Sequence, residues 1–278
     1  MVRARGIVDA GGHRRVAVVT GAARGIGAAT VLALADRGWS VLAVDVAADD
    51  PALTYSMGTK QELLAVATEA GGRVNRVGAV RPFVADVRDP EALRAAVAEA
   101  VDTWGGLDAA VAAAGVIAGG DPLWDMPVEQ ERAVLDVCLG GVVNLARAAV
   151  PALLARPEPR SGRLLAVASA AATKGLPRLA AYCAAKAGVA GLIRALAAEL
   201  ADTGVTANAV SPGNTDTALL DEIARIYDLP EAERFARQQP VGRLLQPAEI
   251  AGVLAFLAGT ENTAMTGAVV PVDGGLAL

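Results

Sequence analysis

"VVTGAARGIGAA", from Val18 to Ala29, passes from an apolar run into a glycine-punctuated turn and then into a pattern of small residues at helical spacing. Glycines stand at 21, 25 and 27, spaced G-x-x-x-G-x-G. Gly21 permits a tight turn, and Gly25 and Gly27 let backbone and helix approach a pyrophosphate. The helix that starts there adds unpaired N–H groups and the positive end of its dipole. A glycine-rich loop alone is a weak signal, so its surroundings decide its worth.

Working outward, "RVAVVT" (15–20), "SVLAVD" (40–45), "PFVAD" (82–86), "LDAAVAAA" (107–114), "GRLLAVAS" (162–169), "GVTANAVS" (204–211) and "AVVPVD" (268–273) are strand-like. They are continuous apolar runs rather than alternating ones, as in a parallel sheet buried on both faces. Helix patterns lie between them at 25–37, about 59–70, 90–103, 129–155, 180–202 and 246–258. Pro90 and Pro247 fit first-turn positions. The alternation predicts an α/β fold, a doubly wound sheet with right-handed crossovers. No linker or internal repeat interrupts it. We expect a tail over 1–14 and a single domain over 15–278, with an acidic insert at 47–60 and a long loop at about 212–243 over the carboxyl edge of the sheet. Such edges bind ligands, and long loops tend to be functional.

The 278 residues are 54% hydrophobic, with a mean hydropathy of +0.41. Burial on two sides accounts for this. A membrane span needs about 20 apolar residues, and uncharged stretches such as 109–120 are shorter. The N-terminus lacks the apolar core of a signal peptide, and Cys138 and Cys183 are too few for a disulfide framework. We expect a cytoplasmic protein with free thiols. A net charge of −5 and a pI near 5.1 argue against nucleic acid as the main partner. The one histidine, His13, precedes the first strand. No histidine-built metal site is expected, and proton chemistry must use other residues.

Asp45 ends the second strand run. A carboxylate there can accept hydrogen bonds from a ribose 2′-OH and repels a 2′-phosphate, which favours NAD over NADP; capping a turn is the alternative. Arg24 is placed beside the cofactor phosphates. Asp86 could accept from an adenine amino group, with Val87 as backbone donor, while Asp89 caps the next helix. "AAYCAAKAGV" (180–189) holds Lys186, one of three lysines against 22 arginines. Tyr182 lies four residues earlier, so both project from one helix face. An ammonium and an oxidised nicotinamide ring both favour phenolate, which makes Tyr182 a base. Ser169, at the end of a strand, can hydrogen-bond a substrate oxygen.

In order along the chain, T-G-x-x-x-G-I-G (20–27), Asp86–Val87, Ser169, Y-x-x-x-K (182–186), "VSPGNTDT" (210–217) and "TGAVVPVDGG" (266–275) resemble the short-chain dehydrogenase/reductase family over nearly the whole chain from about residue 15. The resemblance implies a Rossmann fold with seven parallel strands and hydride transfer between a nicotinamide cofactor and an alcohol or carbonyl carbon. By it, Tyr182 is the acid/base, Lys186 its electrostatic partner and Ser169 the oxygen anchor. Gly21, Gly25, Ile26 and Gly27 cradle the phosphates. Backbone near Pro212 and Gly213, with Thr215 or Thr217, holds the carboxamide.

Two departures stand out. The family's N-N-A-G is replaced by Ala112, Ala113, Ala114 and Gly115; the glycine still admits the adenosine ribose, but the stitching amides are gone. Cys138 stands where the family has an Asn that supports a proton-relay water. Either the helix backbone alone holds that water, or Asn144 substitutes, or the relay is impaired. The insert is similar to that of an actinobacterial, carveol-dehydrogenase-like subgroup coupled to the redox peptide mycofactocin. That likeness implies NAD held without exchange under the insert; an ordinary surface insertion is the alternative. Leu176, Leu179, Leu219, Leu220, Ile223, Ile226 and Tyr227 suggest a hydrophobic alcohol or ketone as substrate, or simply pack the lid. Relatives imply a homotetramer or dimer. A ketoacyl reductase using NADPH, or a catalytically silent NAD-binding sensor, are the competing functions.

Overall fold

Seven strands pair side by side in one parallel sheet, in the order β3-β2-β1-β4-β5-β6-β7. They are β1 Val16–Thr20, β2 Ser40–Asp45, β3 Val80–Val84, β4 Ala109–Ala112, β5 Arg163–Val167, β6 Thr206–Pro212 and β7 Val269–Val272. The computed structural model describes residues 14–74 and 79–278, so His13 and the tail before Arg14 lie outside it. The inner strands β1, β2, β4 and β5 are buried at every position, which explains their unbroken apolar runs.

Helices cover both faces. On one, α1 Gly25–Asp36, α2 Lys60–Val74 and α8 Pro247–Ala258 bury Val31, Leu34, Leu63 and Leu254. On the other, α3 Pro90–Trp104, α5 Gly141–Leu154 and α6 Ala180–Glu199 bury Leu93, Leu145 and Ile193. Asp89 caps α3 as expected, accepting from Glu91 and Ala92 N–H, and both α3 and α8 start on proline.

Most element ends fall within four residues of the expectation, and two differences have a clear structural cause. β3 begins and ends two residues earlier than 82–86, because it is a half-exposed edge strand whose limits come from its ladder with β2, which ends at Asp45↔Val84. The helix expected at 129–155 is α4 Val128–Leu135 and α5, joined through a π turn at Asp136–Gly140. A π turn inserts a residue without altering apolar periodicity enough to be seen in sequence. Val128–Leu154 and Ala180–Glu199 are each long and apolar enough to cross a membrane by length and composition. In this fold α5 and α6 lie against the sheet, and α4 packs on α6.

Strand order reverses between β1 and β4, so loops from either side part there at the carboxyl edge and leave a crevice. Over it lie the insert and the 212–243 segment, which contains α7 Ala218–Ile226 and a short 3-10 turn at Ala232–Gln238.

Candidate active site

The crevice is a cavity of about 900 Å³, near the upper end for small-molecule sites. Every position expected to bind cofactor or do chemistry lines it: Gly21, Arg24, Gly25, Ile26, Gly27, Asp45, Asp86, Val87, Ala114, Gly115, Ser169, Tyr182, Lys186, Pro212, Gly213, Thr215 and Thr217.

At one end lies the glycine loop. Gly21 has φ +68, and a Cβ there would sit 2.6 Å from the Ala114 Cα, so glycine is what lets the β1 and β4 loops touch. Asp45 is buried; its two oxygens accept from Ala23 N–H (3.0 Å) and Ala47 N–H (3.1 Å). It therefore braces the turn, one of the two roles weighed for it, while lining the cavity. Thr20, not foreseen as a site residue, accepts from Ala113 N–H at 3.2 Å and Ala114 N–H at 3.4 Å, holding the β4 loop without the missing amides.

Asp86 is less available than expected. Arg88 clasps both of its oxygens and also reaches Asp50 of the insert at 2.6 Å. Burial alone would raise the Asp86 pKa, but the hydrogen bonds and charge of Arg88 prevail and hold it below its ordinary value. Arg24 lines the cavity and donates to Ser56 O of the insert at 2.7 Å. Nothing local in sequence marks either arginine as an anchor for the insert.

At the other end, Ser169 ends the β5 loop, where its Oγ accepts from Ala171 N–H at 3.1 Å. That leaves its O–H free to donate into the cavity, and Ser169 lies close enough to the Tyr182 phenol to draw its pKa down. The α6 helix presents Tyr182 and Lys186 together, with Lys186 Nζ 5.6 Å from the Tyr182 ring centroid. Nζ donates to Val167 O at 2.8 Å. Burial pushes the Tyr182 pKa above its ordinary value and that of Lys186 below. Desolvation therefore opposes the pull toward phenolate that an ammonium and an oxidised nicotinamide ring exert.

Cys138, in the π turn, accepts from Val116 N–H at 3.3 Å and donates to Val116 O at 3.2 Å. Its thiol is thus committed to the β4 loop. Asn144 cannot replace the relay Asn, since its amide donates to Val87 O at 3.0 Å and Arg88 O at 3.3 Å. Leu176, Leu219, Leu220, Ile223 and Tyr227 line the chamber beside Tyr182, whereas Leu179 and Ile226 pack behind it. No group of His, Cys, Asp or Glu among the described residues could hold a metal ion.

A nicotinamide dinucleotide fits these features: a glycine cradle without side chains, a buried carboxylate at the ribose position of such folds, and a continuous cavity leading to the Ser–Tyr–Lys group. Comparison with known proteins agrees. A family model described as enoyl-(acyl carrier protein) reductase matches residues 21–277. Cis-4-hydroxycyclohexanecarboxylate dehydrogenase of Sinomonas cyclohexanicum is 38% identical over 265 residues, covering 94% of this chain and 96% of that protein. (−)-trans-Carveol dehydrogenase of Rhodococcus erythropolis is 36% identical over 275 residues, covering 95% and 98%. The crystal structure of carveol dehydrogenase from Mycobacterium avium in complex with NAD superposes with a TM-score of 0.88 at 31% identity, covering 95% of this chain and 98% of that one.

Proposed function

The chain belongs to the short-chain dehydrogenase/reductase family and is an oxidoreductase; from that premise we propose that it oxidises hydrophobic alicyclic secondary alcohols to ketones with NAD. The observation that carries this is one cavity with the glycine loop and Asp45 at one end and Ser169, Tyr182 and Lys186 under an apolar lid at the other. The named relatives that act on cyclic alcohols support the substrate class.

Bound NAD supplies the acceptor for the hydride leaving the alcohol carbon. Ser169 donates to the alcohol oxygen and orients it. Tyr182 Oη, as phenolate, takes the alcohol proton; in the reverse direction the phenol returns it. Lys186, buried and cationic, stabilises the phenolate. Asp45 selects against a 2′-phosphate, which counts against an NADPH-dependent ketoacyl reductase. The intact Ser–Tyr–Lys set counts against a silent sensor.

The insert supports a further element of the reading. Arg24, Arg88 and Arg225 bind Ser56, Asp50 and Thr54, so the 47–60 segment is strapped across the cavity from three sides. We assign it the retention of NAD through successive turnovers, with reoxidation in place by mycofactocin. The cytoplasm and a homotetramer pairing the long apolar helices complete the proposal.

Purification without added cofactor, followed by denaturation and mass spectrometry, tests retention. Near-stoichiometric NAD or NADH is expected, and an empty protein that exchanges NAD freely would overturn it. In NAD-loaded protein mixed with carveol or cyclohexanol, Tyr182→Phe should slow reduction of the bound nucleotide at least about 100-fold. An unaffected rate would remove Tyr182 from the chemistry.

A further inference from the structure

Three consecutive residues of the insert are held by three different elements. Thr54 Oγ1 donates to Glu222 Oε1 on α7 at 3.0 Å and accepts from Arg225 at 2.7 Å. Ser56 O accepts from Arg24, at the start of α1, at 2.7 Å. Between them, Tyr55 Oη accepts from the Ile117 N–H beyond β4 at 3.0 Å. With both neighbours pinned and its own oxygen held, Tyr55 has a fixed position.

That position is inside the cavity. Tyr55 packs in the cluster that contains Tyr182, Leu176, Leu219, Ile223 and Tyr227, and it is near enough to Tyr182 to influence that phenol. Burial pushes the Tyr55 pKa up to about 12, so the group stays a neutral donor. Ile117 N–H occupies its oxygen, but among the described residues its own O–H has no acceptor. Partly buried and lining the cavity, this donor is open to an acceptor on an incoming molecule. The chemistry at Ser169, Tyr182 and Lys186 makes no use of it.

We propose that Tyr55 is a specificity-determining residue whose O–H binds a second oxygen of the substrate, remote from the alcohol carbon. The favoured substrates are then alicyclic secondary alcohols that carry an ether, carbonyl or carboxylate oxygen elsewhere on the ring. This rests on the alcohol-oxidation reading above and narrows it. Both pinned neighbours contribute by preorganising the phenol, so that little ordering accompanies the hydrogen bond.

The test compares the positional isomers of methoxycyclohexanol with those of ethylcyclohexanol, which keep the shape but exchange the second oxygen for a methylene. NAD-loaded protein is mixed with each, and the single-turnover appearance of reduced nicotinamide is followed against alcohol concentration. Wild type should use at least one methoxy isomer roughly 10-fold more efficiently than its ethyl counterpart, through a lower half-saturating concentration, the worth of one neutral hydrogen bond. Tyr55→Phe should erase that preference. The substitution also strands the Ile117 N–H, but a purely structural role would depress both alcohols equally and keep the preference, which overturns the inference. A wild type that does not discriminate overturns it as well. A wild type that retains NAD yet oxidises none of the alcohols overturns the alcohol reading itself, and this inference with it.

Discussion

Tyr182 is a phenol under opposed influences. Burial raises its pKa, while nearby Ser169 draws it down, and burial prevails. The direction sets the expected pH dependence. Alcohol oxidation needs the phenolate, which a raised pKa makes scarce at neutral pH. Its single-turnover rate should therefore still be climbing as pH rises through and beyond neutrality. Ketone reduction needs the phenol, so it should stay level through neutral pH and fall only in the alkaline range. Lys186→Met, which deletes the ammonium, should move the oxidation profile further to the alkaline side. Profiles of both directions in NAD-loaded protein check this, and an oxidation rate independent of pH would refute it. The pairing of Tyr182 with Lys186 was legible because four-residue spacing puts two side chains on one helix face. The balance between burial and charge was not, because it depends on what packs over that face.

Among the elements, the insert does most to distinguish this chain. It carries no helix or strand of its own before α2, so its conformation depends on side-chain anchors from elsewhere. Arg88–Asp50 fastens one part and the Thr54–Glu222–Arg225 group another, the latter on a carboxylate whose side chain is only 5% exposed. Combining Arg88→Ala with Glu222→Gln should raise the rate of NAD release roughly 10-fold, as expected for two charge-assisted anchors, one of them partly exposed. Displacement of bound NADH, followed by its fluorescence, measures this. An unchanged release rate would mean that the strap does not govern retention. The π turn makes the same point within a helix. Cys138 is out of place only when matched to an Asn in the linear motif; in three dimensions its thiol bridges the backbone of Val116, which lines the chamber.

On the scale of the whole molecule, the sheet separates chemistry from a charge cluster at its opposite edge. There Asp108, 7% exposed, accepts from Val16 N–H at 2.8 Å and from Arg156 Nε at 2.9 Å. Arg15, itself 2% exposed, packs beside it and stacks 4.7 Å from the Trp39 ring centroid. Asp108→Ala removes the nearest counter-charge of these cations and strands the Val16 N–H, and should cost about 2–4 kcal/mol, somewhat less than a fully buried pair. Thermal unfolding should record a clear loss of stability, while the single-turnover rate of the folded fraction stays at the wild-type level. A fall in that rate would show that the two edges are coupled.

The alternation of buried strands and helices, the glycine cradle and the Ser169, Tyr182 and Lys186 set were determined by the sequence itself. Each rests on a local constraint: periodicity, a backbone that tolerates no Cβ, a place at the end of a strand, or spacing along one helix. What holds those parts together was decided only by the tertiary structure. Thr54 meets Glu222 across 168 positions, and Ile117 meets Tyr55 across 62. Thr20 supports a loop 93 residues away, and Arg88 turns from solvent to Asp50. Such contacts have no signature in neighbouring residues. They arise because parallel crossovers bring the ends of distant strands to one edge, and a loop passing over that edge takes its shape from whichever donors and acceptors it finds there.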